Sequence, residues 1–99
     1  MATLFHSLKI KELKKETSDC VSIYFDVPQN LSSEFLYKEG QNITIRKMIN
    51  GEDIRRSYSI CSAPHENKLK VAIKKVEGGL FSTFANDSLQ QNEALEVMP

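Results

Sequence analysis

Two short motifs in this chain carry residue types that can bind a flat, phosphorylated ligand. The first is Arg56-Ser57-Tyr58-Ser59. A guanidinium can hold a pyrophosphate through paired hydrogen bonds, and an aromatic ring can lie against a planar group. The second is Gly79-Leu80-Phe81-Ser82, where a glycine opens a helix-like segment whose first N–H groups attract anions. Together the motifs predict a dinucleotide site.

The first motif fits this chemistry if it lies on a β-strand. Side-chain direction then alternates, so Arg56 and Tyr58 share one face while Ser57 and Ser59 share the other. The tyrosine would lie about 7 Å beyond the arginine, and Ser59 could hydrogen-bond the edge of a bound ring. Taken singly, a surface arginine, a half-buried tyrosine and a water-facing serine are the commoner interpretations.

The second motif has its own ordinary interpretation. Ser82 could cap the following helical turn, with the glycines serving only to bend the chain. A glycine pair before a helix is a weak signal when it stands alone. The two motifs in one short chain are a much stronger signal than either by itself.

The elements that must position these motifs follow from hydrophobic periodicity. Alternating apolar residues predict strands near residues 5–10, 21–27, 43–48, 56–62, 69–76 and 95–97. Residues 31–39 and 64–67 form connections, and Asn50-Gly51 signals a hairpin. Leu80, Phe81, Phe84 and Ala85 recur at helical spacing in a helix that ends by Leu89. The fold class is therefore all-β, a six-stranded antiparallel Greek-key barrel with one short capping helix.

Composition narrows the function classes. The 99 residues suit one domain, and 13 basic and 13 acidic side chains cancel, which disfavours nucleic acid and anionic membranes as partners. No secretory leader or long apolar run is found, so we expect a soluble, cytoplasmic chain. Cys20 and Cys61 lie in apolar stretches and are expected to be buried free thiols. His6 and His65 are expected to be solvated, and we predict no metal site and no catalytic side chain.

The motifs resemble the FAD-binding domain of the ferredoxin-NADP reductase superfamily, whose pattern of arginine, any residue, tyrosine, then serine or threonine matches residues 56–59. Three further segments resemble that domain: its aromatic-to-Gly-Gln entry into the third strand, its phosphate-binding helix start and its last barrel strand. In the same order, they are Tyr37-Lys38-Glu39-Gly40-Gln41, Gly78-Gly79-Leu80-Phe81-Ser82 and Leu95-Glu96-Val97-Met98-Pro99. The resemblance covers essentially the whole chain.

The resemblance implies a role for each residue of the two motifs. Arg56 would contact the FAD pyrophosphate, Tyr58 would pack on the isoalloxazine or ribityl chain, and Ser59 would approach flavin N5, with Ser57 beside them. The backbone of Ile73 and Lys74 would contact the flavin. The phosphates would lie at the helix start, held by Gly79, Leu80, Phe81 and Ser82.

A narrower likeness, carried by residues 54–61 and 71–84, is to the reductase subunits of phenylacetyl-CoA epoxidases, which pass electrons from NADPH through FAD to a two-iron cluster. Residues 1–99 would then be a FAD-binding barrel that ends in or just after its last strand. The nicotinamide-binding and iron–sulfur domains would be missing, since two cysteines cannot supply four cluster ligands. We expect the fragment to be inactive with NADPH. Its parent would work with a nicotinamide domain, a ferredoxin-like domain and oxygenase subunits.

Two alternatives stay open. A non-enzymatic barrel could bind a protein or nucleic acid through a basic patch of Arg46, Lys47, Arg55 and Arg56, and Lys9, Lys11, Lys14 and Lys15 could dock an acidic electron-transfer protein. Charge runs of this kind are more often solvated surface. The same superfamily could instead serve another acceptor, such as a ring-hydroxylating oxygenase, a desaturase or a haem domain.

Overall fold

The structure is a computed structural model that describes residues 5–31, 35, 41–62 and 68–99. These residues form a single antiparallel sheet and one α-helix. The six strands are β1 (His6–Thr17), β2 (Cys20–Asp26), β3 (Asn42–Ile49), β4 (Glu52–Ser59), β5 (Leu69–Lys74) and β6 (Ala94–Met98). The helix α1 spans Leu80–Asp87, and a 3-10 turn spans Gln29–Leu31. The predictions for residues 37–40, for the turn at 64–67 and for His65 lie outside the described residues.

The sheet has the strand order β4-β3-β6-β1-β2-β5, with β6 inserted between β1 and β3. It curls until its two edge strands approach each other at an isolated bridge between Ile60 and Val71. The Cys61 N–H donates to the Lys70 carbonyl at 2.8 Å beside this bridge. The predicted six-stranded antiparallel barrel with one helix is therefore confirmed, with β4 and β5 joined at one point.

The core lies inside the curl of the sheet. Alternate residues of each strand face inward because side-chain direction has a period of two. The fully buried aliphatic side chains are Leu8, Ile10, Ile23, Ile45, Ile73, Leu95, Val71 and Val97, joined by Phe25. The helix covers the core with Phe81 and Ala85, each 1% exposed. Burial of each large side chain stabilises the fold by about 1.5–3 kcal/mol.

The first strand is longer than predicted. It continues to Thr17 rather than ending near Ile10. Register shifts between Ile10 and Glu12 and between Lys15 and Thr17 interrupt its pairing with β2. Each irregularity breaks the alternation by inserting a residue, so the lysine-rich second half shows no period of two in the sequence although it pairs as a strand.

The hairpin between β3 and β4 turns at the predicted dipeptide. Asn50 has φ 52° and Gly51 has φ 79°. Two consecutive left-handed residues match the right-handed twist of the flanking strands, which is why Asn-Gly favours this turn. The hairpin fixes the register that pairs Ile43 with Tyr58 and Ile45 with Arg56.

The cysteine prediction is half right. Both Cys20 and Cys61 are free thiols, as expected, but Cys20 is half-buried and Cys61 is exposed. Cys61 follows the buried Ile60, so strand alternation turns its side chain outward. His6 is half-buried and packs edge-on against Phe35 at a ring distance of 5.7 Å, so it is not simply solvated.

None of the helices in the described residues is both long and apolar enough to cross a membrane. Over the same residues, no group of three or more histidine, cysteine or acidic side chains is arranged to hold a metal ion.

Candidate functional site

Strand β4 presents Arg56 and Tyr58 on the side of the sheet that faces α1. Both share the parity of the buried residues Ile54 and Ile60. Tyr58 is half-buried, with its ring centroid 5.8 Å from that of Phe81 on the helix. Arg56 is exposed despite its inward parity, and its Nη1 donates to the Arg55 carbonyl at 2.7 Å. The phenol ring therefore lies next to the helix, and Arg56 lies on the same face of the strand, two residues earlier.

The protonation of Tyr58 is set by its surroundings. Burial raises the pKa of Tyr58 above its ordinary value of 10.0, and the Arg56 cation acts in the opposite direction. Desolvation disfavours the phenolate, while a neighbouring positive charge favours it. The phenol stays protonated at neutral pH and can donate a hydrogen bond to a ligand.

Ser57 and Ser59 lie on the opposite face, as the alternation predicts. The Ser57 hydroxyl is 3.2 Å from the Thr44 hydroxyl, and the Ser59 hydroxyl donates to Asn42 Oδ1 at 2.9 Å. The Ile60 N–H donates to the Gln41 carbonyl on the β3 side. Because backbone direction alternates along an antiparallel strand, the backbone groups of Ser57 and Ser59 point toward β5.

Strand β5 offers the matching backbone edge. The Lys70 carbonyl accepts from Cys61 on the β4 side, whereas the Lys75 N–H donates to Asp19 near β2 at 2.6 Å. By alternation, Lys74 directs its backbone N–H and carbonyl toward β4, and Ile73 directs its own toward β2. The Ile73 carbonyl also accepts from Asn86 Nδ2 at 3.1 Å. Of the two residues predicted to contact the ligand through their backbone, Ile73 and Lys74, this geometry favours Lys74, because its backbone groups face the gap between β5 and β4.

The backbone of residues 76–82 forms a tight loop at the helix start, which we call the cradle. Gly79 is the N-cap, with φ −78° and ψ 115°, and it supplies no capping side chain. A Cβ on Gly79 would come within 2.6 Å of Ser82 Oγ and 3.1 Å of the Val76 carbonyl oxygen. The cradle therefore has room for a glycine only. The first N–H groups of a helix have no acceptor within it, so those of Leu80 and Phe81 can bind an anion.

The Ser82 hydroxyl points into this loop. It accepts from the Val76 N–H at 3.0 Å and can donate to the Gly79 carbonyl at 3.4 Å. Ser82 is buried, as is the Phe81 side chain. The hydroxyl thus fixes the shape of the cradle, and both residues would approach a phosphate through their backbone N–H groups.

The four basic residues at 46, 47, 55 and 56 do not form one surface. Arg46 and Arg55 face outward and pair with Asp53 at 3.2 and 3.1 Å, and Arg46 also approaches Glu96 at 3.5 Å. Both guanidinium groups lie over the Phe5 ring, at 5.4 and 5.3 Å. The other two residues have inward parity. Because two of the four side chains pair with acidic residues and the other two lie on the opposite face, these four residues form no continuous basic patch that could bind a nucleic acid.

The sequence assigned Lys47 to a solvated charge run, whereas the structure places its side chain against the helix. Its Nζ lies 5.4 Å from the Phe84 ring centroid on α1. Lys47 follows Ile43 and Ile45 with a period of two, on the inward face of β3. A lysine at a position where alternation predicts a core residue was the signal that could have identified it.

The sequence model of the oxidoreductase FAD-binding domain family matches residues 7–98. One subunit of the 1,2-phenylacetyl-CoA epoxidase from Escherichia coli K12 is 42% identical over 96 residues, which cover 97% of this chain and 27% of that protein. The chain thus spans about a quarter of this relative.

Two solved structures share the fold. A ferredoxin NADP+ reductase from Neisseria gonorrhoeae with bound FAD and NADP superimposes with a TM-score of 0.81 at 21% identity, covering 98% of this chain and 37% of that one. Phthalate dioxygenase reductase, described as a modular structure for electron transfer from pyridine nucleotides to [2Fe-2S], gives a TM-score of 0.70 at 26% identity, covering 94% and 28%.

Proposed function

The chain belongs to the oxidoreductase FAD-binding domain family, and on that premise we propose that it is the flavin-binding unit of an NAD(P)H-dependent reductase that supplies electrons to an oxygenase. The observation that carries the proposal is the 42% identity to the phenylacetyl-CoA epoxidase subunit across almost the whole chain. That similarity favours phenylacetyl-CoA epoxidase, and hence phenylacetate degradation, as the system served.

The side chains and backbone groups of the site fit FAD. Arg56 would bind the pyrophosphate, Tyr58 would pack on the isoalloxazine or ribityl chain, and Ser57 and Ser59 would border the ring near N5. The glycine-only cradle supports phosphate binding at Gly79, Leu80, Phe81 and Ser82 through backbone N–H groups. Lys74, and to a smaller extent Ile73, would meet the ring edge with backbone groups.

When bound, FAD supplies the electron chemistry, and the protein supplies orientation and a tuned environment. The work of this chain is therefore binding. The Arg56 guanidinium would offset the negative charge of the phosphates, and the half-buried Tyr58 would exclude water from one side of the ring. The backbone groups of Lys74 would fix the position of the ring. No side chain of the site is needed as an acid, a base or a nucleophile.

The reductase would need further units beyond this barrel. We propose a nicotinamide-binding domain for NADPH, a ferredoxin-like domain with a 2Fe-2S cluster, and oxygenase subunits as the acceptor. The phthalate dioxygenase reductase neighbour, with its stated route from pyridine nucleotides to [2Fe-2S], supports this arrangement. A cytoplasmic location is part of the proposal and fits two free thiols.

The test is a flavin titration of Arg56→Ala beside Arg55→Ala, followed by flavin fluorescence and absorbance. The two arginines are adjacent but lie on opposite faces of β4, so the second is a matched control. Loss of a charge-assisted contact to pyrophosphate should weaken FAD binding by about 10- to 150-fold in Arg56→Ala. Arg55→Ala should bind like the wild type. Absence of saturable binding by the folded wild-type chain, or equal weakening in both variants, would contradict the proposal.

A further inference from the structure

The side chain of Asn86 lies in the last turn of α1 and is hydrogen-bonded to two separate segments. Its Nδ2 donates to the Ile73 carbonyl on β5 at 3.1 Å and to the Ser82 carbonyl in the first turn of the helix at 2.9 Å. Each hydrogen of the amide nitrogen therefore has an acceptor. The two sequence motifs assigned Asn86 no role.

The orientation of this amide follows from its partners. Carbonyl oxygens only accept hydrogen bonds, so the side chain must turn its nitrogen, and not its oxygen, toward Ile73 and Ser82. The Oδ1 atom is then left buried, and no hydrogen-bond partner for it is found among the described residues. A buried acceptor without a donor lowers stability. Such a departure from full hydrogen bonding is more typical of a functional site than of a purely structural contact.

The two segments that Asn86 joins carry the two halves of the proposed flavin site. Ile73 immediately precedes Lys74, whose backbone groups face the gap between β5 and β4. Ser82 belongs to the cradle and holds its shape through the Val76 N–H. One amide group thus connects the strand edge proposed for the ring with the loop proposed for the phosphates.

Other contacts between α1 and the sheet fix this spacing less strictly. Phe81 and Ala85 pack into the core, but apolar packing is not directional. Asp87 pairs with Lys75 at 2.9 Å, and both side chains are more than a third exposed, so this ion pair holds the helix weakly. A hydrogen bond requires a defined distance and angle. The amide of Asn86 is therefore suited to fix the position of the helix relative to β5.

We propose that Asn86 is a positioning residue, which holds the cradle at the distance from the Lys74 backbone that lets one FAD molecule occupy both. The proposal rests on the proposed function. FAD engages both halves of the site through one molecule, so its affinity depends on their spacing as well as on each half separately. Riboflavin has the ring but no phosphate, so its affinity depends on the ring half alone.

The test compares FAD and riboflavin affinities in the wild type, Asn86→Ala and Asp87→Ala, by fluorescence titration for FAD and by NMR titration for weakly bound riboflavin. Asn86→Ala should weaken FAD binding by about tenfold while riboflavin binding stays within about twofold of the wild type. Asp87→Ala removes the neighbouring exposed link to Lys75 and should leave both affinities within about twofold. Circular dichroism checks that each variant is folded.

Asn86→Asp tests the donor itself and carries the test if the alanine variant does not fold. An ionised carboxylate would face two carbonyl oxygens with no hydrogen to donate, whereas a protonated carboxyl can donate to one of them. Burial beside these oxygens raises the pKa of such a carboxyl above its usual range. FAD affinity of Asn86→Asp should therefore rise by at least about threefold from about pH 8 to about pH 5, relative to the wild type over the same range.

The charged groups around position 86 are the same in the wild type and in each Asn86 variant. Lys15 Nζ donates to the Asn86 backbone carbonyl at 3.2 Å, and Lys75 and Asp87 form their ion pair beside it. Their own contributions to any pH dependence therefore cancel in the comparison with the wild type.

The outcomes separate this proposal from the proposed function. Asn86 variants that bind FAD as tightly as the wild type, or that weaken FAD and riboflavin to the same extent, would overturn the positioning role and leave the flavin function standing. An FAD affinity of Asn86→Asp that does not rise toward low pH would also overturn it. A folded wild type that binds neither ligand would overturn both proposals.

Discussion

At the scale of single residues, the cradle at the helix start depends on a contact between Gly79 and Ser82. The backbone of Gly79 has a φ that alanine adopts freely, so alanine would not strain the chain by conformation. The obstacle is the Ser82 hydroxyl, which holds the Val76 N–H and stands where a Cβ would go. Glycine is therefore required at position 79 because the Ser82 hydroxyl leaves no room for a Cβ, and not because of the backbone dihedral angles.

We therefore expect Gly79→Ala to lower the free energy of unfolding by about 1–2 kcal/mol, because the new methyl group displaces the Ser82 hydroxyl from its hydrogen bond. In a Ser82→Ala background the same change should cost distinctly less. A double-mutant cycle measured by urea denaturation checks this coupling. Equal costs in the two backgrounds would show that Ser82 is not the obstacle.

Tyr58 gives a prediction for pH. Its folded-state pKa is raised by burial, so its protonated form contributes stability that is fully present below about pH 10 and is lost as pH rises through the folded-state pKa. Arg56→Ala removes the cation that opposes this shift. The variant should therefore titrate Tyr58 at a higher pH than the wild type, as followed by ultraviolet absorbance, whereas Arg55→Ala should not. A lower titration midpoint in Arg56→Ala would contradict the placement of the guanidinium beside the phenol.

At the scale of elements, the β3–β4 hairpin sets the register between its two strands. Gly51 has φ 79° and no atom within 4 Å of an added Cβ. The cost of Gly51→Ala is therefore purely conformational, and we expect a loss of about 1–2 kcal/mol in the free energy of unfolding. Urea denaturation measures it. Asn50→Gly, which permits the same turn, should change stability by less than half as much, and a similar loss in both variants would argue against a left-handed turn.

The same elements show what sequence can and cannot predict here. Regular alternation identified β2, β3, β5 and β6, and helical spacing with a preceding glycine pair identified α1, because each pattern is local. The strand predicted near residues 56–62 captured only the second half of β4, which begins at Glu52. The second half of β1 was not predicted as a strand, because its irregular pairing with β2 removes the alternation of buried and exposed residues. The cleft between the β3–β4 hairpin and α1 was not predicted, because residues 49–50 and 80–87 meet only through packing of segments distant in sequence. Lys47 and Cys61 were misjudged because residue type was given more weight than alternation: Lys47 shares the parity of Ile43 and Ile45, and Cys61 has the parity opposite to the buried Ile60.

At the scale of the whole molecule, the proposed flavin site lies where the sheet is joined least. Strands β4 and β5 meet at the isolated Ile60–Val71 bridge, and the proposed ring position spans the slot beyond it. A ligand that binds only the folded barrel adds its binding free energy to stability, about 2.7 kcal/mol at a hundredfold excess over Kd.

We expect saturating FAD to raise Tm by on the order of 10 °C for a domain of this size. Differential scanning fluorimetry with and without FAD measures the shift, and Arg56→Ala should show a smaller rise at the same FAD concentration while Arg55→Ala should not. A Tm that does not respond to FAD in the wild type would mean that the folded barrel does not bind it.

The insertion of β6 between β1 and β3 also determines the order of events during synthesis. Of the six strands, the one made last supplies the middle of the sheet, and its partner β1 is the one made first. A nascent chain that has emerged only as far as α1 holds the group β1-β2-β5 and the β3–β4 hairpin, but it lacks the strand that pairs with both β1 and β3. Contacts between such distant segments slow folding. The barrel therefore assembles only after residue 98 has left the ribosome, and until then the inner faces of β1 and β3 are exposed to aggregation.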